Sequence, residues 1–175
     1  KEFIIERSDY PIDHCKNILK NEVTAILGYG PQGRGQSLNM RDQGFDVIIG
    51  LRKGRSWEKA LSDGWEEDVT LFSIEQATEK ATIIQFLLSD AGQIQAWPEV
   101  KSRLNKGDAL YFSHGFGIVF HEDTQIIPPN DVDVILVAPK GSGLTVRNHF
   151  KEGRGINASF AIHQDYTNKA KERCI

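Results

Sequence analysis

Short apolar runs punctuate the chain: "VTAIL" (23–27), "DVIIG" (46–50), "TIIQFLL" (82–88), "ALYFS" (109–113) and "DVILVA" (133–138). They are continuous rather than alternating, so both faces of each strand expect burial, as in a parallel sheet covered by helices. "SFAI" (159–162) is a candidate sixth strand. Between the runs lie helix-length segments at 32–43, 56–63, 74–80 and 91–104, with a further one at 142–150. This alternation predicts an α/β fold, a doubly wound, mostly parallel sheet with helices on both faces.

In such sheets ligands bind beyond the carboxyl ends of the strands. The glycines and polar residues gather there: "GYGPQG", "LRKGRS", "SDAGQ", "HGFG" and "PKGSG" each follow a strand run. Chance would spread them over both rims.

Gly28, Gly30 and Gly33 spell G-x-G-x-x-G between a strand run and a helical segment. The first glycine permits the tight turn, the second lets backbone approach a pyrophosphate, and the third allows close helix–strand packing. Helix N-terminal N–H groups then face the phosphates. In this context the motif points to a Rossmann-type dinucleotide site; a glycine-rich turn that binds nothing is the competing reading. An NAD site usually carries an acidic residue after the second strand. Here Asp42 and Asp46 precede that strand's apolar run, and the strand empties into Leu51, Arg52, Lys53, Gly54, Arg55 and Ser56. Cations beside a hydroxyl at a helix start suit a 2′-phosphate, which favours NADPH over a merely solvated basic loop.

Bulk numbers narrow the remaining classes. The 175 residues suit one domain, or one domain and the start of another. With 21 Lys and Arg against 24 Asp and Glu, no global positive charge invites nucleic acid. No apolar run approaches the ~20 residues that span a bilayer, and the N-terminus lacks the pattern of a signal peptide. Cys15 and Cys174 lie near opposite ends without metal-ligand spacing, which suits a reducing compartment. A bacterial cytoplasm is the expected location, with an organelle as the alternative. The Lys1 start and the helix-like "TNKAKERCI" at the end suggest a piece of a longer protein.

Two strand ends carry residues that suit chemistry. His114 in "YFSHGFG" sits on a glycine-flanked loop, where an imidazole can touch substrate. Lys140 in "VAPKGSG" follows the rigid Pro139 and precedes glycines, although a surface lysine reads equally well. Gln93 in "SDAGQ" could bond a phosphate or ribose, or be a plain surface amide. His121, His149 and His163 have no ligand spacing and read as structural; Trp57, Trp65 and Trp97 read as core or interface. Asp63 and Glu67 have D-x₃-E spacing but sit in the turn-like acidic patch "SDGWEED". No convincing carboxylate pair for a divalent metal, nucleophile elbow or zinc motif is present, so no metal ligand is expected in these residues.

With those residues in place, the sequence resembles the ketol-acid reductoisomerases, the acetohydroxyacid isomeroreductases of branched-chain amino-acid synthesis. The resemblance rests on "GYGPQGRGQSLNMRDQGFDVIIGLRKG", "LLSDAGQ", "YFSHGFGIVF", "PPNDVDVILVAPKGSG" and "EGRGINASFAIHQD". Of these, S-H-G-F together with "DVDVILVAPKG" is far more specific than the glycine motif. It implies an NADPH-binding domain over 1–163, with 164–175 beginning a helical second domain that is otherwise missing. It also implies a magnesium-dependent alkyl migration in 2-acetolactate or 2-aceto-2-hydroxybutyrate, then NADPH reduction to a 2,3-dihydroxy acid.

The resemblance implies roles residue by residue. Gly28, Gly30 and Gly33 match the pyrophosphate loop, with Tyr29 and Gln32 among the expected cofactor contacts. Arg52 and Ser56 match the 2′-phosphate contacts, with Arg55 and Lys53 as neighbours. Leu88, Ser89, Asp90, Gln93 and Pro139 complete the expected cofactor side, and His114 is counted there too. His114 also matches an active-site histidine that orders water and substrate, and Lys140 a lysine supporting the substrate and metal shell. The family's Mg²⁺ ligands belong to the second domain, so the chain alone is expected to bind NADPH without catalysing either step. A homo-oligomer is expected of the longer protein. The rivals are a non-catalytic dinucleotide-binding sensor module and a 3-hydroxyacid dehydrogenase relative, the latter opposed by the contexts of His114 and Lys140.

Overall fold

The computed structural model describes residues 4–175. The short helix α1 (Ile12–Ile18) precedes the sheet, and the chain then alternates: β1 (Thr24–Leu27), α2 (Pro31–Asp42), β2 (Val47–Gly50), α3 (Arg55–Ser62) and β3 (Leu71–Phe72). Next come α4 (Ile74–Lys80), β4 (Ile83–Phe86), α5 (Asp90–Lys101) and β5 (Ala109–Phe112). Two one-turn helices, α6 (Phe116–Val119) and α7 (His121–Thr124), lead to β6 (Asp133–Pro139), α8 (Gly143–Lys151), β7 (Ala158–Gln164) and α9 (Ala170–Cys174).

The strands form one seven-stranded sheet in the order β3-β2-β1-β4-β5-β6-β7. Every pairing is parallel except β6 with β7. The doubly wound class expected from the apolar runs is therefore the observed one. "SFAI" lies inside β7, a seven-residue strand that returns antiparallel along the edge and is largely exposed. β3 is only two residues long, too short to leave a periodic signal.

Apolar side chains fill both faces of the sheet. On one face Phe86 meets Trp97 at 6.2 Å and Phe112 at 6.0 Å, above Ile84 and Leu110. On the other, Ile26 and Ile49 pack with Trp57, Trp65 and Leu71. All three tryptophans are core residues. Order reverses between β1 and β4, whose helices leave on opposite sides, so a crevice opens beyond their carboxyl ends.

The last residues are tied to the sheet rather than set apart from it. Asp133, 0% exposed, accepts from Arg173 at 2.8 Å and from the Thr167 hydroxyl at 2.6 Å. Arg173 also forks onto Glu22, and Ala170 is buried. The residues after β7 thus pack against the sheet. A buried carboxylate needs its partners nearby, because leaving it unpaired costs several kcal/mol, and α9 supplies one.

Asp108 sits beside this network, 5% exposed, accepting from the Asn105 backbone N–H at 2.7 Å. Burial pushes its carboxyl up to about 6. A carboxyl that holds its proton more tightly in the fold stabilises the fold below pH ~4, and that contribution is lost as pH rises through about 6. Asp108→Asn, neutral throughout, should therefore be more stable than the parent at pH 8 by about 2–3 kcal/mol, at ~1.4 kcal/mol per tenfold change in proton affinity. The difference should shrink at pH 4. Urea melts at the two pH values check this; a pH-independent difference contradicts it.

Candidate functional site

The turn after β1 is shaped by what surrounds it. Gly28 has φ +107°, and a β-carbon there would lie 2.7 Å from the Leu87 carbonyl oxygen. At Gly33 a β-carbon would fall 2.1 Å from the Gly28 carbonyl oxygen, so α2 is seated directly on the turn. Gly30, by contrast, has no atom within 4 Å of the same position: it faces open space. The N-terminal end of α2, with Pro31 at its first position, points its N–H groups into that space.

That space is a cleft of about 410 Å³. Gly28, Tyr29 and Gly30 form one wall, Leu87, Leu88, Ser89 and Gly92 another, and Arg52, Lys53, Arg55 and Ser56 the end. Ser89 spends its hydroxyl capping α5, accepting from the Gly92 N–H at 3.3 Å. The basic end is differentiated. Lys53 pairs with Glu67 and lies 3.6 Å above the Trp57 ring. Arg52 donates to the Gln95 side chain at 2.9 Å, a neutral partner that leaves its charge uncompensated by that bond. A phosphate placed there meets a guanidinium available for the forked contact it favours.

These features fit a phosphorylated dinucleotide. The open face at Gly30 admits a pyrophosphate close to backbone, and the cations at the far end suit a second phosphate. Gly28, Tyr29, Gly30, Arg52, Lys53, Arg55, Ser56, Leu88 and Ser89 are brought together as the sequence suggests.

Other expected contacts lie elsewhere. Gln93 is 2% exposed, and its amide donates to the Phe86 and Leu88 carbonyls at 3.1 Å each. It braces the turn after β4, whose carbonyls at the sheet's end need a donor. Gln32 turns its side chain to the Gly141 carbonyl at 2.8 Å, leaving only its backbone N–H at the start of α2. Asp90 stands on the rim with its carboxylate 3.5 Å from His114 Nε2. Pro139 ends β6, half-buried.

His114 and Lys140 are both exposed, on loops that leave the neighbouring strands β5 and β6 at the same rim. What holds these loops was missed in the sequence. Gln36 of α2 donates to the Ser113 hydroxyl at 3.1 Å and to Gln32 Oε1 at 3.0 Å, and accepts from the Tyr111 hydroxyl at 2.9 Å. Gln32 continues the chain to Gly141. The residue before His114 and the residue after Lys140 are thus tied to the helix of the glycine loop. Burial pushes the Tyr111 hydroxyl up to about 12, so it stays a donor. The i, i+4 spacing of Gln32 and Gln36 was the available signal. Of the residues read as structural, His121 lies 3.3 Å from the Ile118 carbonyl, and His163 is exposed on β7.

A second network underlies the glycine loop. Tyr29 donates to Asp63 Oδ2 at 3.1 Å and accepts from Trp65 Nε1 at 2.7 Å. Arg34 forks onto both oxygens of Asp63, at 2.6 and 3.0 Å, and holds that carboxyl at about 2. Among the described residues, no three of His, Cys, Asp and Glu gather as a metal site. No helix there is long and apolar enough to cross a membrane.

Comparison with known proteins agrees with this geometry. The family described as "Acetohydroxy acid isomeroreductase, NADPH-binding domain" matches residues 18–175. A probable mitochondrial ketol-acid reductoisomerase of Schizosaccharomyces pombe is 57% identical over 100% of this chain and 44% of its own length. A ketol-acid reductoisomerase (NAD(+)) of Desulfosudis oleivorans is 56% identical, over 100% of this chain and 50% of its own. Among solved structures, an NADH-preferring ketol-acid reductoisomerase from an uncultured archaeon superposes with a TM-score of 0.87 at 36% identity, covering 98% of this chain and 50% of that one. The chain therefore spans about half the length of these relatives. A glycine loop under α2, a basic segment across the cleft and a His/Lys rim, in a sequence this similar, place the chain in the acetohydroxy acid isomeroreductase, or ketol-acid reductoisomerase, family, as its NADPH-binding domain.

Proposed function

We propose that this chain binds NADPH in preference to NADH, as the cofactor-holding half of a ketol-acid reductoisomerase acting on 2-acetolactate or 2-aceto-2-hydroxybutyrate. The observation that carries the cofactor choice is the segment Arg52–Ser56 at the end of the glycine-loop cleft. Relatives named for NAD(+) or NADH exist in this family, so the choice rests on this segment. The backbone N–H groups at the start of α2 receive the pyrophosphate; Arg52, Arg55 and Ser56 receive the 2′-phosphate.

Bound NADPH supplies the hydride. The rim residues serve the substrate: His114, with Asp90 beside its Nε2, can hold a proton or orient a water, and Lys140 presents a positive charge to an acidic substrate. The carboxylates for Mg²⁺ belong, in this reading, to the remainder of the longer protein, a helical unit that α9 leads into. Exposed Phe116, Phe120 and Val119, which lie just past His114, offer that unit an apolar surface. The assembled protein is proposed to be a homo-oligomer in a reducing compartment, the cytoplasm or an organelle's interior, where the free thiols Cys15 and Cys174 persist.

Fluorescence titration of the chain should give tighter binding for NADPH than for NADH, and Arg52→Asp should narrow or reverse the difference. Equal affinities in the parent would refute the reading of the basic segment. Calorimetry with MgCl₂ should detect only weak binding, and the purified chain should not turn over 2-acetolactate with NADPH. Turnover, or a tight Mg²⁺ site, would show that the chain carries a complete centre.

A further inference from the structure

The sequence reads "SDGWEED" as a turn-like acidic patch, and within it the Asp63 side chain is only 12% exposed. It lies at the C-terminal end of α3, the helix whose first residues are Arg55 and Ser56. Its carboxylate collects the Arg34 fork, the Tyr29 hydroxyl and, at 3.2 Å, the Lys59 ammonium. Its backbone carbonyl accepts from Arg41, near the end of α2, at 2.9 Å. Arg41 in turn stacks 4.7 Å from the Trp65 ring. One residue therefore lashes the far end of α3 to the glycine loop and to both ends of α2.

We propose that Asp63 is a positioning residue that fixes the spacing between the pyrophosphate cradle and the 2′-phosphate pocket, and thereby sets the preference for the phosphorylated dinucleotide. The proposal rests on the NADPH reading of the cleft. The geometry explains why a carboxylate is used. The α3 rod is eight residues long, about 12 Å at 1.5 Å per residue, and its first residues follow the exposed stretch 52–54, with buried Leu51 and Trp57 on either side. Fixing its far end limits how the basic end can tilt about these anchors. Trp57 and Ala60 pack α3 onto the core, and the charged fork at Asp63 adds a directional restraint at its far end. Arg34 keeps the carboxyl ionised across the physiological range, so the clamp does not open with pH.

A general loss of fold would weaken both dinucleotides alike. Loss of spacing weakens only the contact that NADH lacks. In titrations of the chain, Asp63→Ala is expected to lower the NADPH-to-NADH affinity ratio by about tenfold, the scale of one charge-assisted contact, while NADH affinity stays within about threefold. Arg34→Gln and Asp63→Asn, which loosen the fork with less change of shape, should lower the ratio in the same direction; they decide the matter if circular dichroism shows Asp63→Ala unfolded. Folded variants whose ratio stays within about twofold of the parent overturn the proposal. A parent with no preference for NADPH overturns the cofactor reading first and this proposal with it, a different and separately visible result.

Discussion

The seating of α2 on the turn after β1 is the contact on which the rest depends. With a β-carbon at Gly33 placed 2.1 Å from the Gly28 carbonyl, no side chain fits between helix and turn. The same helix approaches α8 just as closely: a β-carbon on Gly143 would lie 1.8 Å from the Pro31 carbonyl. α2 is thereby pinned from two sides, with its N-terminal end aimed at the crevice between β1 and β4. Backbone approach of this kind tolerates no added atom without displacement, since packed interiors do not deform continuously.

From that seat, α2 organises the rim. Its inward side chains Gln32 and Gln36 reach Gly141, Ser113 and Tyr111, and so set the loops that carry Lys140 and His114. Its outward side chains Arg34 and Arg41 reach Asp63 and so set α3. The loops that carry His114 and Lys140 and the glycine loop are thus referred to one rigid element. Net charge gives no hint of this. The chain carries −3 overall, and the positive field is local to residues 52–55.

The strands and major helices were legible because burial on both faces leaves continuous apolar runs, and because glycines and cations mark the strand ends. β3, α6 and α7 were not, being too short to show a period. The antiparallel return of β7 is set by pairing with β6 and leaves no local mark. The cleft itself followed from the motif, the basic segment and the resemblance. The bracing of the turn after β4 by Gln93 was not legible, because an amide near a loop looks the same in sequence whether it is exposed or buried. The role of Asp63 was not legible for a related reason. Its partners Tyr29 and Arg34 lie about thirty residues away, at separations of 34 and 29, and only the fold brings them together.

The central claim is that one cleft holds both the pyrophosphate and the 2′-phosphate of a single cofactor. Backbone amide chemical shifts of the ¹⁵N-labelled chain, recorded on addition of NADPH and separately of NADH, test it most directly. Both cofactors should move the amides of residues 28–30, 32 and 33, and NADPH should in addition move those of residues 52–56. Shifts that leave residues 28–30, 32 and 33 unmoved, or that are identical for the two cofactors at residues 52–56, would contradict the account.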